Sequence, residues 1–272
     1  MTALQVVVLA AVQGITEFLP VSSSAHFLLV PWLLGWEIRP EFALALSTFD
    51  QLGALFALLG FFWMDLRALA RAGVLSLSSR SPGKPQAQMV WRVAVATLPA
   101  LALGLFPMPS ANVFLSRPAI LGGIMVGTGM FLLLADRLGG PSRTVLQIRW
   151  RDAIGVGMAQ AIGQLPGVSR SGAALGTARL CGLSRPASAR LSFWIAVPVL
   201  LERVILGMKD LVRLPNVRSD LMLGGAGFVV AAVLGYFAIG WLLRHLTTHT
   251  LRGFAAYCLV LGLIVIWFSF LR

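Results

Sequence analysis

Charge is scarce in this chain, and acidic charge is scarcest. Only 12% of residues are charged, and Asp plus Glu number 10 against 22 Lys plus Arg. A soluble domain carries about a quarter charged residues, so the shortage excludes an ordinary soluble fold. Cysteine is limited to Cys181 and Cys258, each inside an apolar segment. That excludes a disulfide framework and reads as two small buried hydrophobes. The N-terminus, MTALQVVVLAAVQ, lacks the basic start of a secretory leader, so no cleaved signal peptide is expected.

What is present is hydrocarbon: 58% of residues are hydrophobic and the mean hydropathy is +0.85. The composition is that of a polytopic membrane protein surrounded by membrane lipids. The formal net charge of +12 sits in short loops between apolar segments. Loops facing anionic headgroups look like this, and a nucleic-acid surface does not, so no nucleic-acid partner is expected.

Six segments, residues 42–63, 89–106, 118–135, 188–208, 221–243 and 251–271, are long and apolar enough to span, since about twenty residues cross the hydrocarbon layer. Residues 3–34 and 153–183 are apolar too, but Pro with Ser or Gly breaks each in the middle. Each half is too short to cross alone, so both are expected to be re-entrant helical hairpins. The expected fold is therefore an all-α integral membrane protein built as an inverted repeat. Each half holds one re-entrant hairpin and three transmembrane helices, over residues 1–140 and 147–272. An odd number of spans between the hairpins makes the second enter from the side opposite to the first.

The two interruptions support the repeat. VQGITEFLPVSSS overlays AQAIGQLPGVSRS, with Gln13 and Glu17 on Gln160 and Gln164, Pro20 on Pro166 after a one-residue slip, and Val21 to Ser24 on Val168 to Ser171. Basic residues orient the chain: Arg67, Arg71, Arg80 and Lys84, then Arg137, Arg143, Arg149 and Arg151, then Arg244 and Arg252 mark cytoplasmic connections. Connections 36–41, 107–117 and 209–220 are expected outside, although the last still carries Lys209, Arg213 and Arg218.

Two hairpin tips meeting near the midplane bring two helix N-termini together, a setting that attracts anions. Arg170 adds a planar fork suited to phosphate, with Ser169, Ser171 and the Gly167 turn beside it. Alternatively, Arg170 simply pairs with Glu17. On the first tip, Ser23 and His26 are three apart on one helical face, where an imidazole can deprotonate a hydroxyl. His26 can equally be a satisfied buried histidine, and Ser22, Ser23 and Ser24 can cap the helix that follows Pro20. Glu17, with Gln13 one turn before it, is placed to hold a divalent cation or to orient His26. His245 and His249, four apart, have the spacing of metal ligands, but between Arg244 and Arg252 they read rather as a cytoplasmic helix end. Glu202 and Arg203 read as an interhelical polar contact or as the outer end of their span.

These motifs resemble the undecaprenyl-diphosphate phosphatase family of the integral-membrane bacitracin-resistance type. The first family motif matches Gln13, Glu17, Pro20, Val21, Ser22, Ser23 and His26, and the second matches Pro166, Gly167, Ser169, Arg170 and Ser171. The resemblance extends over essentially the whole chain in length and segment order. It implies hydrolysis of undecaprenyl diphosphate to undecaprenyl phosphate and inorganic phosphate on the outer face of a bacterial inner membrane, assisted by Mg²⁺ or Ca²⁺. This recycles the lipid carrier for peptidoglycan and other envelope polymers. By position it assigns Glu17 and Gln13 to the metal or acid-base side, Ser23 as a candidate nucleophile, and His26 to proton transfer. Arg170 and Ser169 form the phosphate clamp, with Ser22, Ser24, Ser171 and Gly167 as further phosphate contacts. Three positions depart from the family pattern: Ala174 replaces the closing Thr, Ala25 stands where Gly is common, and Gln13 leaves Glu17 as the only carboxylate in the motifs. Thr177 lies almost a turn past Ala174, and the sequence leaves open whether its hydroxyl substitutes. A lipid-phosphate flippase using the same anion site without hydrolysis is the alternative, because broken helices in inverted repeats are also transporter architecture. The sequence is compatible with a monomer and with a homodimer.

Overall fold

The polar interruptions at 17–22 and 163–169 each turn the chain back, and the two turns touch. The computed structural model describes residues 1–78, 85–106, 117–140, 142–212, 214 and 217–271. Among them are eleven α-helices: α1 (Ala3–Thr16), α2 (Ser23–Leu34), α3 (Pro40–Phe61), α4 (Trp63–Ser78), α5 (Pro85–Gly104), α6 (Pro118–Leu138), α7 (Trp150–Ile162), α8 (Arg170–Leu180), α9 (Arg185–Val212), α10 (Val217–Thr248) and α11 (Arg252–Leu271). Arg80, Lys84, Arg213 and connection 107–116, which bear on the orientation of the chain, lie outside the described residues.

Six helices are long and apolar enough to cross a membrane, in α3, α5, α6, α9, α10 and α11, matching the six expected spans to within a few residues. The protein is a multi-pass membrane protein. α1 and α2, at 14 and 12 residues, rise only about 21 and 18 Å against a hydrocarbon core of about 30 Å. α7 and α8 are no longer, at 13 and 11 residues. Residues 63–78, expected only as a basic connection, instead form the helix α4. Its mean composition is only weakly apolar, so it carried no spanning signal, and Arg67 and Arg71 are turned along its surface rather than sitting in a loop.

Helix direction follows from the close contacts. α1 opens with Thr2 and Gln5 in a reciprocal capping box and buries Val6, Leu9, Ala10, Gln13 and Gly14, the i, i+3, i+4, i+7 stripe of one helical face. That face runs along α10 in the same direction: Gly14 abuts Ala231, and Phe18, just past the helix, abuts Gly235. A Cβ on Gly14 would stand 2.7 Å from the Ala231 carbonyl oxygen, so the two backbones touch through the missing side chain, as is common between membrane helices. α7 lies along α5 in the same way, through Gly157 against Ala96 and Gln164 against Ala100. α6 and α11 run in opposite directions, since Gly122 faces Gly262 and Gly129 faces Ala255.

Polar side chains gather at two levels away from the turns. Arg39 pairs with Asp220 at 2.7 Å. Elsewhere Arg185 pairs with Asp136 at 2.6 Å, Arg143 pairs with Asp152 at 2.9 Å, and Arg179 donates to the carbonyls of Gly139, Gly140 and Leu183. These bonds tie the end of α6, the start of α7 and the end of α8 together. The two cysteines are free.

Candidate active site

The first turn is held by its own polar atoms. Ser22 adopts φ 71°, the only non-glycine in the left-handed region among the described residues, a conformation costing of order 1–3 kcal/mol that concentrates at functional sites. The turn lets the Ser22 hydroxyl cap α2 by accepting from the Ala25 N-H at 3.4 Å, satisfying one orphan donor of a buried helix start. The Ser22 carbonyl accepts from His26 Nδ1 at 2.7 Å. A carbonyl only accepts, so Nδ1 carries the proton and Nε2 is the working nitrogen.

The second turn places Arg170 at the start of α8, directly after Ser169, whose hydroxyl caps the helix by accepting from the Gly172 N-H at 3.0 Å. Gly167, at φ 90°, supplies the left-handed step that a side chain would strain.

The two turns meet at Glu17. Its Oε1 accepts from Arg170 at 2.8 Å, and its Oε2 accepts from Gln13 Nε2 at 2.9 Å and from the Ser23 hydroxyl at 2.6 Å. Glu17 and Arg170 side chains are only 4% and 8% exposed, so this is a buried ion pair that joins one hairpin to the other. Two further bonds cross between the hairpins: Ser171 donates to the Leu19 carbonyl at 2.9 Å, and the Gly167 N-H donates to the Ser24 hydroxyl at 3.4 Å. Arg170 also reaches the Ala196 carbonyl of α9 at 3.4 Å, and its Nε has no partner among the described residues. A guanidinium with an unused buried donor, beside two helix starts and four serine hydroxyls, is equipped to hold a phosphoryl group.

The family described as bacitracin resistance protein BacA matches residues 6–264 of this chain. The chain belongs to that family. It is 38% identical over 266 residues to an undecaprenyl-diphosphatase of Desulforudis audaxviator (strain MP104C), covering 98% of this chain and 97% of that protein. It is 39% identical over 264 residues to one from Nocardioides sp. (strain ATCC BAA-499 / JS614), covering 95% and 93%. A Geobacter metallireducens (strain ATCC 53774 / DSM 7210 / GS-15) undecaprenyl-diphosphatase is 36% identical over 275 residues, covering 99% of each chain.

In this BacA chain the motif residues Gln13, Glu17, Ser22, Ser23, Ser24, His26, Gly167, Ser169, Arg170 and Ser171 all fall on the two turns or the helix ends beside them. Two expectations about their pairing change. The Ser23 hydroxyl is bonded to Glu17, and His26 is turned from it toward the Tyr257 hydroxyl at 2.6 Å. The left-handed Ser22 turn directs Nδ1 onto the backbone, which aims Nε2 away from Ser23. Glu17 therefore orients Ser23 and Arg170 rather than His26. For Arg170 the Glu17 pair is formed, and it leaves Nε without a partner among the described residues, so the pair does not use up the fork.

Of the departures, Ala174 packs in an apolar cluster with Val156, Ala178 and Leu191, and Thr177 lies by Gly155 of α7, away from the turns. Ala25 is buried against Leu29, Leu121 and Met125. Glu202 and Arg203 do make interhelical contacts: Arg203 reaches Gln164 of the second hairpin, and Glu202 lies against Gly104 of α5. His245 stacks between Trp241 and His249 at the end of α10.

Tyr257 was not foreseen. Its ring stacks on His26 with centroids 5.6 Å apart and 7° between planes. It is one of only two tyrosines in the chain, and a lone phenol in the otherwise apolar α11 was the available signal.

Proposed function

We propose that this chain is an undecaprenyl-diphosphate phosphatase, hydrolysing undecaprenyl diphosphate to undecaprenyl phosphate and inorganic phosphate and so recycling the lipid carrier for envelope synthesis. The observation that carries this reading is Glu17, which grips the Ser23 hydroxyl with one oxygen and Arg170 of the other hairpin with the other. Nucleophile, base and phosphate clamp are thereby locked in one geometry.

The terminal phosphoryl group lies between the two turns, its oxygens on Arg170 and on the hydroxyls of Ser22, Ser24 and Ser169, with the Gly167 backbone beside them and Ser171 joining once its proton turns from the Leu19 carbonyl. Ser23 Oγ attacks phosphorus while its proton passes to Glu17 Oε2, and the bond to the bridging oxygen breaks, releasing the lipid monophosphate. Water then attacks the phosphoserine to release inorganic phosphate. That water gives up its proton through the Tyr257 hydroxyl to His26 Nε2, and Glu17 returns the first proton to Ser23 Oγ as the phosphoserine bond breaks. Arg170 meets the charge that spreads over the equatorial oxygens.

Mg²⁺ or Ca²⁺ suits this donor set in a limited way. Among the described residues no three His, Cys, Asp or Glu side chains cluster, so Glu17 and the Gln13 carbonyl oxygen would hold the ion together with water and substrate oxygens, as Mg²⁺ commonly is held. Bound there, it would offset phosphate charge.

The inverted repeat, with halves at 1–140 and 147–272, is supported by matched packing: α1 runs along α10 as α7 runs along α5, and α6 faces α11 head to tail. The site opens toward the outer side of a bacterial inner membrane. The Arg39–Asp220 pair ties two of the expected outer connections together, which supports their lying on one side, and the basic connections mark the other side as cytoplasmic. Both hairpins come from one chain, so one protomer completes the site and a homodimer would hold two.

Phosphate release from undecaprenyl diphosphate by the purified protein in detergent, before and after chelation and with Mg²⁺ or Ca²⁺ restored, tests the reading. Release that is lost in His26→Ala and restored to the chelated wild type by a divalent ion is expected. A folded wild type that binds the lipid yet releases nothing would replace hydrolysis with translocation.

A further inference from the structure

A second guanidinium sits inside a span close to the Glu17 cluster. Arg203 lies on α9 two turns beyond Ala196, whose carbonyl takes a bond from Arg170, a rise of about 10 Å. It makes no ion pair among the described residues. Glu202, its neighbour in sequence, turns to Gly104 of α5 and leaves its own Oε2 buried without a partner among the described residues. What Arg203 has is two long donations, both 3.4 Å, from Nε and one terminal nitrogen to Gln164 Oε1. Gln164 is clamped in turn, its Nε2 donating to the Ala100 carbonyl at 2.6 Å, which leaves Oε1 no direction but toward Arg203.

The charges of Glu17, Arg170 and the neighbouring Glu202 all act on Arg203. Glu17 is already taken by Arg170, and Glu202 lies against Gly104 without forming an ion pair with Arg203 among the described residues. A cation at membrane depth is retained where something supplies its counter-charge, and in direct contact with Arg203 the described residues offer only an amide oxygen. The substrate of the reaction proposed above has two phosphates, and Arg170 with the serines accounts for one.

We propose that Arg203, oriented by Gln164, binds the second, lipid-proximal phosphate and gives the site its preference for a diphosphate over a monophosphate lipid. The identity of the lipid rests on the phosphatase reading. When Ser23 attacks the terminal phosphorus, the bridging P–O bond breaks and its electron pair goes to the lipid-proximal phosphate. A planar guanidinium beside that phosphate meets the new charge as the lipid monophosphate leaves.

The test is equilibrium binding of undecaprenyl diphosphate and of undecaprenyl phosphate to the detergent-solubilised protein, together with phosphate-release kinetics, for wild type, Arg203→Gln, Arg203→Lys and Gln164→Leu. Arg203→Gln should weaken diphosphate binding by roughly tenfold to a hundredfold and monophosphate binding by less than about threefold, so the preference collapses. Lys should recover part of it. Gln164→Leu, which keeps the charge but frees its orientation, should act in the same direction more weakly. Equal losses for both lipids, or an unchanged diphosphate affinity, would overturn the assignment. If wild type binds the diphosphate preferentially without releasing phosphate, and Arg203→Gln erases that preference, the phosphatase reading fails while the role of Arg203 stands.

Discussion

Replacing Glu17 by Gln separates what this carboxylate does for stability from what it does for chemistry. Glu17 accepts three hydrogen bonds, from Arg170, Gln13 and Ser23. A glutamine of the same shape can keep Oε1 toward Arg170 and turn its amide toward Ser23 and Gln13, because a hydroxyl also accepts and Gln13 can rotate to present its oxygen. All three contacts survive, so what is lost is the charge. Arg170 is then a buried cation without its partner, a change worth about 3–5 kcal/mol of stability. Removing the base for Ser23 should lower turnover by about 10²- to 10⁴-fold. The double variant Glu17→Gln/Arg170→Met removes the orphaned charge, so thermal unfolding in detergent should return most of the way to wild type while phosphate release stays as low as in the single variant. Wild-type release by Glu17→Gln would refute the assignment of Glu17 as base. A double variant no more stable than the single one would refute the ion pair as the origin of the stability loss.

Other expectations follow from single contacts. Ser23→Ala should abolish phosphate release and any phosphoserine trapped by acid quenching and read by mass spectrometry, whereas Ser24→Ala, which loses a bond to Gly167 and one to Ser22, should stay within about tenfold of wild type. Tyr257→Phe removes the hydroxyl from His26 Nε2 but keeps the stacked ring, so stability should fall by about 1 kcal/mol and the rate should fall less than in His26→Ala. Gly14→Val would drive a Cβ into the Ala231 carbonyl at 2.7 Å and should destabilise the protein by at least about 1–3 kcal/mol in thermal unfolding.

The spans were legible because hydrocarbon length is a strong constraint, and because Pro, Gly and Ser in the middle of an apolar segment mark the place where a helix breaks. The site was legible as residue types, since Glu17, the serines, His26 and Arg170 are polar atoms where lipid allows almost none. How they pair was not. Spacing on an ideal helix places His26 near Ser23, but the left-handed turn at Ser22 redirects the imidazole onto the backbone and Tyr257, 231 positions away in the sequence, and spacing carries no information about such a turn. α4 escaped because Arg67 and Arg71 make it too polar to resemble a span, although its apolar and polar residues separate onto two faces as in an amphipathic helix. Arg203 was noticed but could not be placed, because its partner Gln164 sits in the turn between α7 and α8, whose approach to α9 only the fold decides.

The most direct measurement compares phosphate release from undecaprenyl diphosphate by wild type, by Ser23→Ala from the first hairpin and by Arg170→Ala from the second, each verified as folded by its elution and unfolding in detergent. A site built jointly by both turns predicts release by wild type and loss in both variants. Release at the wild-type rate by a folded Arg170→Ala protein would mean that one hairpin works alone, and would contradict the account.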